Sequence, residues 1–263
     1  MKIFIVDSFT QERFKGNPAA VAICNRVITE TECRNIAMEM NLSETAFLYK
    51  KKESEYDLRW FTPEEEVDLC GHATLASAHI LWEKSYENKE STLFFHTKSG
   101  LLTASWDNGW ITLNFPSKPL EPSKGDSFLF KAIPGTIKTI HEDKDSYIIV
   151  MKNESDVKKM SPDFELLYKT RRKEVIVTAQ SEKDNCDFVS RFFAPAIGIK
   201  EDPVTGSAHC YLAPYWAKIL NKNELTGYQA SKRGGFVRCT VVGDRVLLKG
   251  KACTVLVGEI HRA

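Results

Sequence analysis

The second half of this chain repeats a pattern of its first half. The segment RWFTP (residues 59–63) returns as RFFAP (residues 191–195), a shift of 132 positions in a chain of 263 residues. Without a gap, the same shift sets Cys70 opposite Asp202. Solenoid repeats are much shorter, roughly 20–50 residues, so a repeat of half the chain predicts two similar lobes. We expect a cleft between the lobes, with Cys70 presented from one side and Asp202 from the other.

A second pair of segments supports the duplication. The segment SGL (residues 99–101) corresponds to GGF (residues 234–236), and ITL (residues 111–113) corresponds to VLL (residues 246–248). These segments lie 135 positions apart, and a drift of three residues is what one loop insertion produces. Apolar strands resemble one another by chance, but the nearly equal offsets favour a true repeat.

The composition excludes several classes of protein. Apolar residues make up 43% of the chain and charged residues 27%, as in soluble globular proteins. A net charge of +1 gives no reason to expect a nucleic acid or an anionic membrane as partner. No segment approaches the roughly 20 apolar residues of a membrane span, and the apolar run at the start is too short for a signal peptide. The seven cysteines are odd in number and lack a C-x-x-C pair, which argues against disulfides and a zinc site and favours a reducing cytoplasm.

Hydrophobic patterning predicts many strands and few helices. In the first half, strands are expected at residues 3–6, 19–23, 45–49, 56–61, 93–96, 101–106 and 110–115. The turn at residues 107–109 (DNG) predicts a hairpin between the last two, because Asn-Gly tolerates positive φ. A weaker counterpart lies at residues 241–245.

Helices are expected at corresponding places in each half. Thr29 with Glu32 forms a capping-box pattern that opens a helix ending near Met40. Its partner is expected to start at Ser161-Pro162. Two further helices, opening near residues 72–74 and 205–207, are apolar over much of their surface and should lie inside their lobes. Residues 116–123 contain three prolines and predict a linker. The interpretation is an α+β protein with an N-terminal lobe at 1–116 and a C-terminal lobe at 117–263.

The two buried helix openings suggest anion binding. The first turn of a helix has unpaired N–H groups and a partial positive charge. Such openings lie at residues 70–72 and 202–207, in corresponding positions of the two halves. Facing each other, they would hold a carboxylate and stabilise negative charge that develops beside it. An enzyme that removes a proton from the carbon next to a carboxylate must stabilise negative charge in this way.

Four motifs carry a family resemblance: GNPAAV (16–21), NLSETAF (41–47), DLCGHATL (68–75) and EDPVTGSA (201–208). The motifs occur in the order found in the PhzF-like family of phenazine-biosynthesis isomerase relatives. The resemblance to that family spans nearly the whole chain. The resemblance implies the diaminopimelate epimerase-like fold. In that fold, two pseudo-symmetric lobes each wrap a curved, mostly antiparallel sheet around a central helix. It also implies frequent homodimers and no metal or organic cofactor.

The resemblance also assigns roles. Glu44 matches the catalytic carboxylate that moves a proton on a small carboxylic acid, while His72 and Asp202 match polar partners in the same cleft. Loss of solvation is expected to raise the pKa of Glu44 from about 4.3 toward 6–7. The positions that match substrate-binding residues are Asn17, Gly71, Gly206 and Ser207.

Cys70 leaves two mechanisms open. Isomerases of the family usually carry a small unreactive residue there, whereas related epimerases and proline racemases use a cysteine paired with a second one. Here Asp202 takes the second position. Cys70 is therefore either a thiol base, with a pKa lowered by the helix opening, or an inert neighbour of the substrate.

Other classes of function remain as alternatives. One is a racemase or epimerase with Cys70 and Asp202 as opposed bases. A hydrolase that uses Cys70 or Ser207 with His72 is disfavoured, because no G-x-S-x-G motif and no acid that orients the histidine can be recognised. The non-enzymatic alternative is a small-molecule binding protein of the same fold that has lost activity. The identity of the substrate does not follow from the sequence.

Overall fold

The first part of the chain alternates strands with two helices. The computed structural model describes residues 1–183 and 185–261. Its first elements are β1 (Lys2–Ser8), β2 (Asn17–Cys24), α1 (Glu30–Met40), β3 (Thr45–Lys52), β4 (Glu55–Phe61), β5 (Glu66–Val67), α2 (Gly71–Glu83), β6 (Leu93–Thr97), β7 (Gly100–Asp107) and β8 (Trp110–Pro116).

The second part carries more helices. Its elements are β9 (Glu121–Pro122), α3 (Ser127–Ala132), β10 (Ile137–Glu142), β11 (Ser146–Met151), α4 (Glu154–Lys158), α5 (Phe164–Tyr168), β12 (Glu174–Gln180), β13 (Phe188–Ala194), a 3₁₀ turn (Pro195–Ile197), β14 (Ile199–Asp202), α6 (Gly206–Leu220), β15 (Glu224–Gln229) and β16 (Gly235–Val242). Two final strands follow, β17 (Arg245–Gly250) and β18 (Ala252–Glu259).

These elements form two compact units. The first contains Met1–Phe115 and the chain from Leu247 onward, and the second is Pro116–Val246. The sequence placed all of 117–263 in the C-terminal lobe, which is wrong for its last part. The reason is strand pairing: β18 runs antiparallel to β1 along its whole length, from Lys2 opposite Glu259 to Ser8 opposite Ala252.

The same order of strand pairs occurs in both units. In the first, β2 is parallel to β3, β3 antiparallel to β4, β4 parallel to β6, and β6 antiparallel to β7. In the second, β11, β12, β13, β15 and β16 follow the same alternation. Antiparallel pairs predominate, as predicted. The repeated pairing order supports the internal repeat that the sequence indicates.

One apolar helix is prominent in each unit. In the first unit, α2 packs against β1, β2, β3 and β18, and nearly all of its residues are buried. In the second unit, α6 packs against β15 and β16. A helix with apolar residues around most of its circumference must be enclosed on most sides, as the sequence predicted. No helix in the described part of the chain is long and apolar enough to cross a membrane.

The repeat shifts register before the second of these helices. The N-cap residue of α2 is Cys70 and that of α6 is Thr205, a separation of 135 positions. The three extra residues therefore lie between β13 and α6. At the helix start Cys70 corresponds to Thr205, and the sequence comparison that set it opposite Asp202 was wrong at this point.

Two predictions of local structure also need correction. The expected helix start at Ser161-Pro162 lies two residues later, because the Asp163 carboxylate caps α5 by accepting the N–H groups of Glu165 and Leu166. The expected linker at 116–123 is partly strand, since β9 pairs with β10. The second unit holds α3 to α6 within its described residues, where the sequence predicted two helices.

Candidate active site

The position of Glu44 is fixed by a short connection between a helix and a strand. Helix α1 ends at Asn41, whose left-handed backbone (φ 50°) turns the chain toward β3. Glu44 directly precedes β3, and its carbonyl accepts the N–H of Ala20 at 3.2 Å. The backbone of Glu44 is thereby fixed to β2, and its side chain is 13% exposed.

The start of α2 is anchored to β1 and to itself. The Ser8 hydroxyl donates to the carbonyl oxygen of His72 at 2.8 Å, and the Thr74 hydroxyl donates to the carbonyl of Cys70 at 2.5 Å. Both Cys70 and His72 are buried. Anchoring the carbonyl groups of the first turn holds Cys70, Gly71 and His72 in fixed places.

These elements bring three predicted site residues together. Nε2 of His72 lies 3.2 Å from Oε2 of Glu44, and Nδ1 of His72 lies 3.5 Å from Sγ of Cys70. The imidazole ring thus stands between a carboxylate and a thiol. The 3.2 Å separation is an ion-pair distance, but neither atom makes a well-aligned hydrogen bond. The sequence identified no acid that orients His72, and the structure places Glu44 in that position.

Electrostatics in this cluster differs from the sequence prediction. Burial, the largest single effect, raises the pKa of Glu44, but the positive charge of His72 and the polar contacts with His72 and Ser43 together hold that pKa below its ordinary value. The expected rise toward 6–7 was wrong, because it considered burial without the cation. Burial by itself lowers the pKa of His72, and the neighbouring Cys70 and Glu44 raise it well above its ordinary value. The resting pair is therefore a carboxylate beside an imidazolium.

The pKa of Cys70 is shifted in the direction opposite to that expected of a thiol base. Burial, followed by the nearby Glu44 carboxylate, raises the pKa of the Cys70 thiol. The helix opening was expected to lower that pKa, but a buried thiolate beside a carboxylate is costly. The raised pKa makes Cys70 a poorer source of thiolate than an ordinary cysteine.

Two other predicted residues of the first unit lie close in sequence to these elements. Asn17 is the first residue of β2, where it pairs with Ser8 of β1, and it is fully buried. Gly71 is the first residue of α2 and is also buried. Their roles in substrate binding remain predictions.

The remaining predicted residues belong to the second unit, where they surround the start of α6. Asp202 ends β14, and its carboxylate accepts the Thr205 hydroxyl. The Gln229 side chain joins them: Nε2 donates to the Asp202 carbonyl at 2.7 Å, and Oε1 accepts the Thr205 N–H at 2.8 Å. Gly206 and Ser207 are the first two residues of α6.

Sequence reasoning missed Thr205 and Gln229 as parts of this arrangement. Thr205 is detectable from the 135-residue offset, which aligns it with Cys70. No pattern in the sequence marks Gln229, because the pairing of β15 with β13 and β16 that positions it is a long-range contact.

The arginine that begins each copy of the repeated segment has the same structural role in both units. Each arginine makes two contacts with a glutamate on the following short strand, at 2.8 and 2.8 Å in the first unit and 2.6 and 2.9 Å in the second. Each also lies 4.9 Å from the ring of a phenylalanine two residues on. The residues are Arg59, Glu66 and Phe61 in the first unit, and Arg191, Glu201 and Phe193 in the second. These clamps hold the strands that lead toward α2 and α6.

Comparison with known proteins gives consistent matches over the whole chain. The family model "Phenazine biosynthesis-like protein" matches residues 6–258. An uncharacterized isomerase of Halalkalibacterium halodurans is 48% identical over 261 residues, covering 98% of this chain and 97% of the relative. A crystal structure of a PhzF-family protein from Enterococcus faecalis has a TM-score of 0.93 and 44% identity, covering 99% of both chains.

A more distant structure extends the fold comparison. A predicted epimerase from Pseudomonas aeruginosa has a TM-score of 0.77 at 17% identity, and the match covers 100% of this chain and 99% of that one. At that identity the likeness concerns the fold alone. Together with the Enterococcus structure, it confirms the predicted α+β, diaminopimelate epimerase-like fold class.

Proposed function

The chain belongs to the phenazine biosynthesis-like family, and we propose that it is a cofactor-independent isomerase that moves a proton on a small carboxylic acid. Glu44 is the general acid–base. One observation carries this proposal: the Glu44 carboxylate lies 3.2 Å from His72 in a largely buried cluster at the start of a helix. A buried carboxylate kept ionised by a neighbouring cation is ready to accept a proton.

The reaction proceeds in two proton transfers. In the first, Glu44 takes a proton from a carbon of the substrate, and the electron pair of the broken C–H bond spreads into the adjacent unsaturated or carboxylate system. In the second, protonated Glu44 returns a proton to another carbon. Positioned transfer of this kind contributes about 10²–10⁴-fold to the rate. His72 stabilises the carboxylate form of Glu44 before the first proton transfer and after the second.

The start of α2 supplies the anion site in this proposal. Helix α2 has 13 residues, and its first N–H groups carry the partial positive charge that attracts anions. Gly71 has no side chain to block approach to those groups. A substrate carboxylate held there stands close to Glu44, which fixes the distance between the base and the reacting carbon.

Several parts of the proposal rest on the sequence alone. Asp202, Gly206 and Ser207 are proposed as the second unit's contribution to catalysis and to carboxylate binding, and Asn17 as a further substrate contact. A homodimer in the cytoplasm is proposed from the family resemblance and from the cysteine pattern.

Deuterium incorporation tests the proposal. The protein is incubated in deuterated water with a panel of small carboxylic acids, and the acids are analysed by mass spectrometry and NMR. We expect label at one carbon of at least one acid, and a loss of roughly 10²-fold or more in Glu44→Gln. Glu55→Gln is the matched control, because Glu55 also contacts a histidine, His96 at 3.1 Å, outside the cluster.

The outcomes separate the candidate functions. No label from any acid counts against an isomerase and favours a binding protein, which a thermal-shift screen with the same acids detects. Full labelling by Glu44→Gln refutes the role of Glu44. Cys70→Ala addresses the racemase: unchanged turnover in that variant excludes a mechanism that uses Cys70.

A further inference from the structure

The Glu44, Cys70 and His72 cluster presents three different ligand atoms at one point. A carboxylate oxygen, a thiol sulfur and an imidazole nitrogen lie within 4.8 Å of one another. This is the one such group of three among residues 1–183 and 185–261. Zinc binds carboxylate, thiolate and imidazole, and three protein ligands with an open fourth position are typical of reactive zinc sites.

Two separations in the cluster each match one pair of ligand atoms in a tetrahedral zinc site, although they involve different nitrogens of His72. Bonds of about 2.3 Å to sulfur and about 2.0–2.2 Å to nitrogen and oxygen place sulfur and nitrogen roughly 3.5 Å apart, and nitrogen and oxygen roughly 3.3 Å apart. The observed separations are 3.5 Å for Sγ–Nδ1 and 3.2 Å for Nε2–Oε2. An ion takes only one imidazole nitrogen, so one ligand must move. The three ligand atoms lie within 4.8 Å of one another, so bringing the most distant pair to the roughly 3.3 Å of a zinc site needs a movement of about 1.5 Å or less.

An independent observation points to a ligand here. Oε2 of Glu44 and Nε2 of His72, which lie 3.2 Å apart as an ion pair, are both buried from solvent without a well-aligned hydrogen bond. His72 as a whole is only 4% exposed. A buried polar atom without a well-aligned hydrogen bond is costly and needs an explanation, even where it lies at ion-pair distance from another. A bound cation satisfies them.

We propose that Glu44, Cys70 and His72 form a binding site for a single zinc ion. Zinc replaces the thiol proton of Cys70 and the proton shared with His72, so binding releases protons to the solvent. The sulfur ligand favours zinc over magnesium or calcium, which prefer oxygen. The site differs from the cysteine-based zinc motifs that the sequence excluded, because its ligands come from two distant motifs.

The consequence for turnover rests on the proposed function. A zinc ion occupies the carboxylate of Glu44, which can then no longer carry a proton. Zinc is therefore expected to inhibit the isomerase, and a chelator is expected to restore it.

Metal binding can be tested without a substrate. Metal-free protein is titrated with zinc against a chromogenic chelator, and separately with cobalt, whose bond to a thiolate gives a charge-transfer band in the near ultraviolet. We expect one zinc per chain and a cobalt–thiolate band. Cys70→Ser and Cys70→Ala should lose the band and bind zinc at least 10–100-fold more weakly, since loss of even an outer-shell partner costs that much.

Cys33→Ala is the matched control, because Cys33 is a buried cysteine of the same unit that belongs to no such group. It should retain the band and the affinity. Equal zinc affinity in the Cys70 variants, or a cobalt complex without the thiolate band, would overturn the proposed site. Zinc that binds without slowing turnover would refute the inhibition. If the metal-free protein shows no turnover, the proposed isomerase activity is refuted. The proposed zinc site is not, because the cobalt–thiolate band is measured without a substrate.

Discussion

The buried His209 makes the stability of the protein depend on pH. His209 lies on α6, completely buried, and its Nδ1–H donates to the Thr205 carbonyl at 2.8 Å. Its Nε2 has no hydrogen-bond partner, and the centroid of the Phe188 ring lies 5.7 Å from that of the imidazole. Burial lowers the pKa of His209 from 6.5 to about 4. The folded protein therefore holds this imidazole neutral.

The sign and size of the effect follow from linkage. Below pH 6.5 the unfolded chain binds a proton at His209, whereas the folded chain binds one there only when the pH falls to about 4. Protons therefore favour the unfolded chain, and the free energy of unfolding decreases as the pH falls. The loss from this residue is about 2 kcal/mol between pH 7 and pH 5, and about 3 kcal/mol once both states are protonated.

Urea denaturation at pH 7, 6 and 5 measures this contribution. We compare the natural protein with His209→Gln, which cannot titrate. The difference in unfolding free energy between the natural protein and His209→Gln should shrink by about 2 kcal/mol from pH 7 to pH 5. Parallel pH profiles for the natural protein and His209→Gln would show that His209 is not the titrating group.

Two further substitutions test packing and the repeated clamp. Gly227→Ala sets a Cβ atom 2.6 Å from the Phe188 ring, and we expect the unfolding free energy measured in urea to fall by roughly 1–3 kcal/mol. The control is Gly258→Ala, whose Cβ meets nothing nearer than 3.4 Å and whose unfolding free energy should fall far less. Equal losses in the two variants would contradict the packing argument. Arg191→Lys removes the two-pronged contact with Glu201 and should cost about 2 kcal/mol, because a lysine cannot reproduce that geometry. An unchanged melting temperature in Arg191→Lys would show that the clamp is dispensable.

Local patterns in the sequence predicted most of the elements. The capping box of Thr29 and Glu32 is present, with the Thr29 hydroxyl accepting the N–H of Glu32 at 3.2 Å. The Asn108-Gly109 turn has positive φ at both residues, as the hairpin requires. Such features depend on a few neighbouring residues, and for that reason a sequence reveals them. The family resemblance and the isomerase class that the motifs indicated are confirmed by the comparisons.

What the sequence could not supply depended on partners distant along the chain. The direction of the pKa shift of Glu44 was missed because contacts with the adjacent Ser43 and with His72, 28 residues later, together outweigh burial. The membership of β18 in the first unit was missed because nothing near residue 252 specifies pairing with residue 8. The gapless repeat set Asp202 against Cys70, because the change of offset from 132 to 135 shows that three residues were inserted but not where they lie. The placement of Asp202 in the reaction stays a prediction.

The pairing of β18 with β1 has a consequence for the order in which the chain can fold. The N–H of Ile260 donates to the Met1 carbonyl, and the amino group of Met1 donates to the Ile260 carbonyl, so the first and last described segments are joined by direct hydrogen bonds. During synthesis, β1 can pair with β2 at once, but more than 240 residues must follow β1 before its other neighbour, β18, exists. The second unit is continuous in sequence, so it can fold on the ribosome while one edge of β1 is still unpaired. That open edge is a site at which a nascent chain of this protein is vulnerable to aggregation.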